Sequence, residues 1–173
     1  MRIVFRILYR SHMIIKKIIL ITGKQKSGKS NSIGMVYEKL LKIQPKHRFN
    51  REDGFFTKSL IKIPLENDFF CIFEPINGIK VGLILSGDCL SDFKEAFDYI
   101  KDDIDVLVCA SRLIDNENSV FRYITEDIHK YGFEVYLNMG TFPTHGDKRR
   151  MADMENTIAD TVFSVLEKKF FNH

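Results

Sequence analysis

Apolar runs of strand length alternate along this chain with segments whose apolar residues return every three or four positions. The first run is 14–22, IIKKIILIT, and a helix follows in which Ile33, Val36, Tyr37, Leu40 and Leu41 share one face. Residues 44–58 read as a basic, turn-prone connection. Two apolar runs, FFCIFEPI and IKVGLILSGD, flank Asn77-Gly78, the dipeptide that supplies the positive φ angles of a tight hairpin turn. Pro75 cannot donate to a ladder, so the outgoing strand lies at an edge or ends there. Leu90, Phe93, Phe97 and Ile100 mark a second helix. The run 105–111, DVLVCAS, has the continuous apolar character of a central parallel strand. Val120, Ile124 and Ile128 mark a third helix that stops at Gly132, and FEVYLNMG, 133–140, is the last strand. Met151, Met154, Ile158, Val162 and Val165 form the stripe of a closing helix. The expected fold is α/β, a three-layer α/β/α sandwich with a mostly parallel sheet and one β-hairpin.

The 173 residues suit one domain, and no repeat or Pro/Gly/Ser-rich linker divides them. With 45% hydrophobic and 28% charged residues the composition is that of a globular chain, not a disordered one. A net charge of +3 permits an anionic ligand without predicting nucleic-acid binding. Cys71, Cys89 and Cys109 show no metal-ligand spacing and read as buried, reduced core residues of a cytoplasmic protein. Arg2, Arg6, Arg10, Lys16 and Lys17 cut the apolar N-terminus into runs shorter than the roughly 20 residues of a membrane span. It also lacks a small-residue cleavage site, so neither a membrane segment nor a signal peptide is expected. Met13 is a candidate start, with residues 1–12 a disordered or non-native extension.

The stretch between the first strand and the first helix changes the picture. GKQKSGKS, 23–30, fits G-x-x-x-x-G-K-[ST] at every fixed position, with an apolar strand before it and an amphipathic helix after it. Gly23 and Gly28 allow the backbone to curl so that successive N–H groups of Lys24, Gln25, Lys26 and Ser27 face one anion-sized hollow. The helix adds its positive end, Lys29 reaches the β and γ phosphates, and the Ser30 hydroxyl is placed for Mg²⁺. On these residues the chain resembles the P-loop NTPase superfamily, the specific part of the resemblance covering about residues 14–43. It implies an ATP site with Mg²⁺ as cofactor.

The superfamily's second motif is an apolar strand ending in a carboxylate that orders the magnesium shell. Here VGLILSGD puts Asp88 just past a strand end, displaced by Ser86 and Gly87, whereas DVLVCAS ends in Ser111 and Arg112 without an acid. Asp88 is therefore the candidate metal carboxylate, with a helix N-cap as its structural alternative. Arg112 is a candidate clamp on transferring phosphate, or a surface arginine. Glu52 and Asp53 stand where many small P-loop kinases carry a substrate-binding or general-base acid, a match of position only, with a solvated charge cluster as the alternative. Lys148, Arg149 and Arg150 follow the last strand as a candidate lid or anion contact.

No N/T-K-x-D or D-x-x-G motif accompanies the loop, which argues against a Ras-like GTPase, and the chain is too short for an ABC ATPase. Two readings follow. One is an ATP-dependent phosphotransferase of nucleoside- or nucleotide-kinase size, whose acceptor is a small molecule, a nucleotide or a polynucleotide hydroxyl. The other is a nucleotide-binding switch or ATPase that regulates a protein or nucleic-acid partner.

Overall fold

The computed structural model describes residues 15–51, 56–57, 69–113, 118–142, 144 and 146–172. Glu52, Asp53 and the N-terminal stretch with Met13 lie outside them. In chain order the elements are β1 (Lys16–Gly23), α1 (Lys29–Ile43), β2 (Lys46–Phe49), β3 (Phe56–Thr57), β4 (Phe70–Phe73), β5 (Val81–Ile84), α2 (Leu90–Ile100), β6 (Val106–Arg112), α3 (Val120–Arg122), β7 (Phe133–Gly140) and α4 (Lys148–Leu166). After α3 the chain continues in a π turn, Tyr123–Asp127, and a 3₁₀ turn, Ile128–Tyr131, which Gly132 ends at φ 81°.

The strands form a mixed sheet in the order β3-β2-β4-β5-β6-β1-β7. From β5 to β7 every pairing is parallel, while β3, β2, β4 and β5 pair antiparallel. The expected parallel sheet thus holds for the half that carries the glycine-rich loop and gives way to antiparallel strands in the other half. Helices cover both faces. Ile19 and Ile21 of β1 join α1 and α4 in one apolar cluster, and Ile18 and Leu20 join α2 and the α3 segment in the other. Because successive side chains of a strand point to opposite faces, burial on both sides requires the unbroken apolar run of β1. β6 meets the same requirement between β5 and β1, its first six residues being buried.

The hairpin forms as expected. Asn77 and Gly78 have φ 50° and 84°, Ile76 bridges Ile79, and β4 pairs with β5 in the register Phe70 to Ile84. It is no edge ribbon: β4 stops at Phe73, ahead of Pro75, and lies between β2 and β5. The connection expected over 44–58 is corrected, since it contains β2 and β3. β2 alternates polar letters that bury differently, and its His47 is fully buried with Nε2 2.8 Å from the Tyr37 hydroxyl and Nδ1 3.1 Å from the Pro45 carbonyl. A histidine satisfied at both nitrogens serves in a core strand that polarity alone does not reveal. Cys71 and Cys109 are buried, the Cys109 thiol being pushed well above its ordinary range by burial. Cys89 is exposed, against the expectation, because it starts α2 beyond the sheet. Among the described residues, no helix is long and apolar enough to cross a membrane.

Gly87 carries the chain away from β5 against the backbone of β6, where a Cβ would overlap the Ala110 carbonyl. Backbone cannot swing aside as a flexible side chain can. Gly87→Ala should lower stability by roughly 1–3 kcal/mol. Gly140→Ala, at a position with nothing within 4 Å of the new methyl, should change it little. Urea denaturation midpoints of the two variants check this contrast.

Candidate phosphate-binding site

β1 lies between β6 and β7, so its C-terminal end opens at the middle of the parallel half of the sheet. Ligands collect at such carboxyl ends in open α/β sheets. Gly23 is the last residue of β1, and a Cβ there would overlap the Thr141 hydroxyl. That hydroxyl donates to the Thr22 carbonyl at 3.1 Å and touches the Ser27 hydroxyl, while the Thr141 N–H reaches the same Thr22 carbonyl at 2.7 Å. Ser27 Oγ in turn donates to the Lys24 carbonyl at 2.7 Å. The start of the loop is thereby tied to the residue that follows β7.

Lys26 at φ 58° and Gly28 at φ 84° make the left-handed steps that curl the loop. Lys24, Gln25 and Lys26 form its exposed tip. α1 then starts at Lys29, with the Ser32 N–H and hydroxyl both on the Gly28 carbonyl at 2.9 and 3.0 Å. Against Gly28 packs the carboxylate of Glu155 from α4, close enough that Oε1 would lie 2.5 Å from an added Cβ. Glu155 is only 5% exposed and accepts from Asn31 Nδ2 at 3.0 Å. Both fixed glycines therefore stand where side chains from the C-terminal part of the chain leave no room for a Cβ.

Lys29 is 6% exposed, and its ammonium donates to the Lys24 carbonyl at 2.6 Å. Burial lowers its pKa, Asp88 opposes that shift and Arg112 adds to it. A phosphate oxygen, bearing charge, is a stronger acceptor than the neutral carbonyl that now holds the ammonium. Lys29, Ser30 and Asp88 line one hollow of about 330 Å³ with Gly28, Asn31, Gly87 and Met151. Ser30 is exposed at its mouth.

Asp88 does share the hollow with the loop, although β6 stands between β5 and β1. It is not the cap of α2, a position Cys89 takes without a side-chain cap bond. Instead both carboxylate oxygens accept from Arg112, Nε to Oδ1 and Nη2 to Oδ2, each at 2.7 Å. These bonds hold the Asp88 carboxyl below its usual range, with partial burial opposing them. Arg112, the candidate phosphate clamp, is thus engaged with the candidate metal acid. For magnesium the donor set fits in kind, a hydroxyl and a carboxylate bordering one hollow, but the Arg112 cation already bonded to Asp88 opposes a second cation there. Among the described residues no group of three or more His, Cys, Asp or Glu side chains gathers to hold a metal.

Lys148, Arg149 and Arg150 occupy the exposed first turn of α4, capped by Asp147, whose carboxylate accepts from the N–H groups of Arg149 and Arg150. Sequence reasoning missed Thr141, Asn31 and Glu155. Only Glu155 left a signal, a carboxylate at helical spacing between Met151 and Ile158 on the inward stripe of α4.

Arg112→Ala should raise the Asp88 pKa toward its ordinary value, because the donors that favour the charged form are gone. Carboxyl-carbon NMR titration measures this, and an unmoved Asp88 midpoint refutes the pairing. The sign follows for stability too: a depressed folded pKa contributes above the unfolded value and is lost as pH falls through the folded one, so the variant should lose less stability on acidification. No protein-family model matches the chain, and neither does any curated protein or solved structure.

Proposed function

We propose that the chain is a nucleoside triphosphate-binding protein of P-loop type, with an α/β/α layering around its sheet, that moves the γ-phosphate of ATP to an acceptor hydroxyl. The observation that carries this reading is the buried Lys29 ammonium, which lines the strand-loop-helix hollow and, among the described residues, is hydrogen-bonded to a backbone carbonyl and not directly to a carboxylate. A structural lysine in so costly a position would have a carboxylate partner. Here the loop amides and Lys29 would bind the β and γ phosphates, and Ser30, with Asp88 once released, would hold Mg²⁺. The metal, when bound, neutralises charge that develops on the phosphoryl oxygens. In the transfer the bond from the acceptor oxygen to the γ-phosphorus forms as the bond to the leaving ADP oxygen breaks, and the proton of the acceptor hydroxyl passes to solvent. Arg112, freed from Asp88, can then bond the transferring group.

A second hollow of about 390 Å³ supports an acceptor beyond the phosphate site. Asn50, Arg51, Asp92 and Glu95 line it together with Ser86, whose neighbour Gly87 lines the first hollow. One observation favours the alternative of a nucleotide-dependent switch. Asp88 is bound bidentately by Arg112, and a metal and phosphates would compete for the two members of that pair, as a switch requires.

Labelled ATP incubated with pooled nucleosides, nucleotides and oligonucleotides should yield a labelled acceptor; release of free phosphate alone would favour the switch. Lys29→Ala should weaken ATP binding by at least about tenfold, the scale of one charge-assisted bond. Full binding by that variant contradicts the assignment. Because Lys29 is charged only below its lowered pKa, ATP affinity should fall as pH rises through that value, sooner than an ordinary lysine dictates. Calorimetric titrations between about pH 7 and 10 check the direction, and Lys29→Arg should flatten the profile.

A further inference from the structure

Two groups of exposed cations flank the phosphate hollow. Lys24 and Lys26 project from the loop tip, and Lys148 and Arg149 from the first turn of α4. They share one end of the molecule because Met151, one helical turn after Lys148, lines the hollow together with Lys26. Among the described residues none of the four is in an ion pair, whereas Arg48, Lys39, Lys101 and Arg122 elsewhere on the surface each face a carboxylate. The nearest acid in sequence, Asp147, is engaged in capping α4 and with Arg150 at 3.5 Å.

Phe142, which follows the loop-bound Thr141 and is itself bonded to α4, is 71% exposed, the most exposed large apolar side chain among the described residues. Its backbone is held from the N-terminal side. The preceding residue, Thr141, is bonded to β1 and the loop, and the Phe142 N–H donates to Met154 Sδ of α4 at 3.2 Å. An isolated exposed phenylalanine calls for no explanation, but one on the segment that joins the loop to α4, the two elements carrying these cations, is a combination that can stack a base while the cations meet phosphates.

We propose that this end of the molecule binds a single-stranded polynucleotide across the mouth of the phosphate hollow, Phe142 stacking a base and Lys24, Lys26, Lys148 and Arg149 meeting successive phosphates. The site is separate from the Lys29 ammonium and does not require that ATP bind. Neither the sugar nor the sequence is specified by a ring face and point charges, so the shared chemistry of RNA and DNA strands is what the surface fits.

Fluorescence anisotropy with fluorescein-labelled single strands of about 16 nucleotides, one RNA and one DNA, provides the test. Four phosphate contacts predict a log-log salt slope of about −3. Lys148→Glu with Arg149→Glu should flatten that slope by about 1 to 2 and weaken binding at low salt by at least about tenfold. Acids in the first turn of a helix favour its N-terminus, so that variant keeps α4 folded. Phe142→Ala, at an exposed position, should weaken binding about 5- to 100-fold, the range for loss of one stacked base. Lys29→Ala should bind the strands as the natural chain does even while it loses ATP, which separates this proposal from the nucleotide reading. Three results overturn it: no binding of either strand at low salt, binding indifferent to both Phe142→Ala and the double charge reversal, or binding abolished by Lys29→Ala, which would mean that the strand merely places a phosphate in the nucleotide hollow. Retention of only the RNA or only the DNA arm supports it and names the sugar.

Discussion

Close approach of the chain's C-terminal part to the glycine-rich loop is the constraint on which the site depends. A curled loop of successive N–H groups is entropically expensive to hold open for an anion. Here Thr141 closes against Gly23 and Ser27, and Glu155 closes against Gly28 and Asn31. Each glycine yields the space that the partner side chain fills, so the conformational freedom of glycine and the packing of β7 and α4 are two sides of one contact. The loop is thereby preorganised by residues more than a hundred positions away.

The same geometry concentrates charge. Lys29 is driven into a partly desolvated position, and desolvation lowers its pKa while the Asp88 carboxylate restrains that shift. Arg112 ties the Asp88 carboxylate from the end of β6, the strand that separates β5 from β1. The three groups form a small charge balance that a triphosphate with its metal would redistribute: the ammonium turning from carbonyl to phosphate, the carboxylate from arginine to cation. Each exchange replaces a weaker partner with a more highly charged one, which is how a preformed site binds without large rearrangement.

Much of this was legible in the letters. The strand before the loop and the helix after it stand as read, and Asn77-Gly78 forms the hairpin turn with the positive φ angles expected of it. What was not legible follows from physics that local pattern does not carry. β2 hides behind polar letters because His47 is satisfied by Tyr37, ten residues away in sequence. The bond between Asp88 and Arg112 joins two strand ends that become neighbours only when β5 and β6 pair. Thr141 gave no signal because its role is a hydroxyl filling the space above a glycine, and Glu155 only a faint one, a charge on an inward stripe.

We propose the hollow between the loop and Asp88 as a triphosphate site with Lys29 as its cationic ligand. A crystal structure grown with a non-hydrolysable ATP analogue and Mg²⁺ tests it most directly. The β and γ phosphates should lie against the loop amides, with the Lys29 ammonium turned from the Lys24 carbonyl onto a phosphate oxygen and the metal beside Ser30. A saturated crystal with the phosphates bound elsewhere, or with Lys29 still on the carbonyl beside a bound nucleotide, would contradict it.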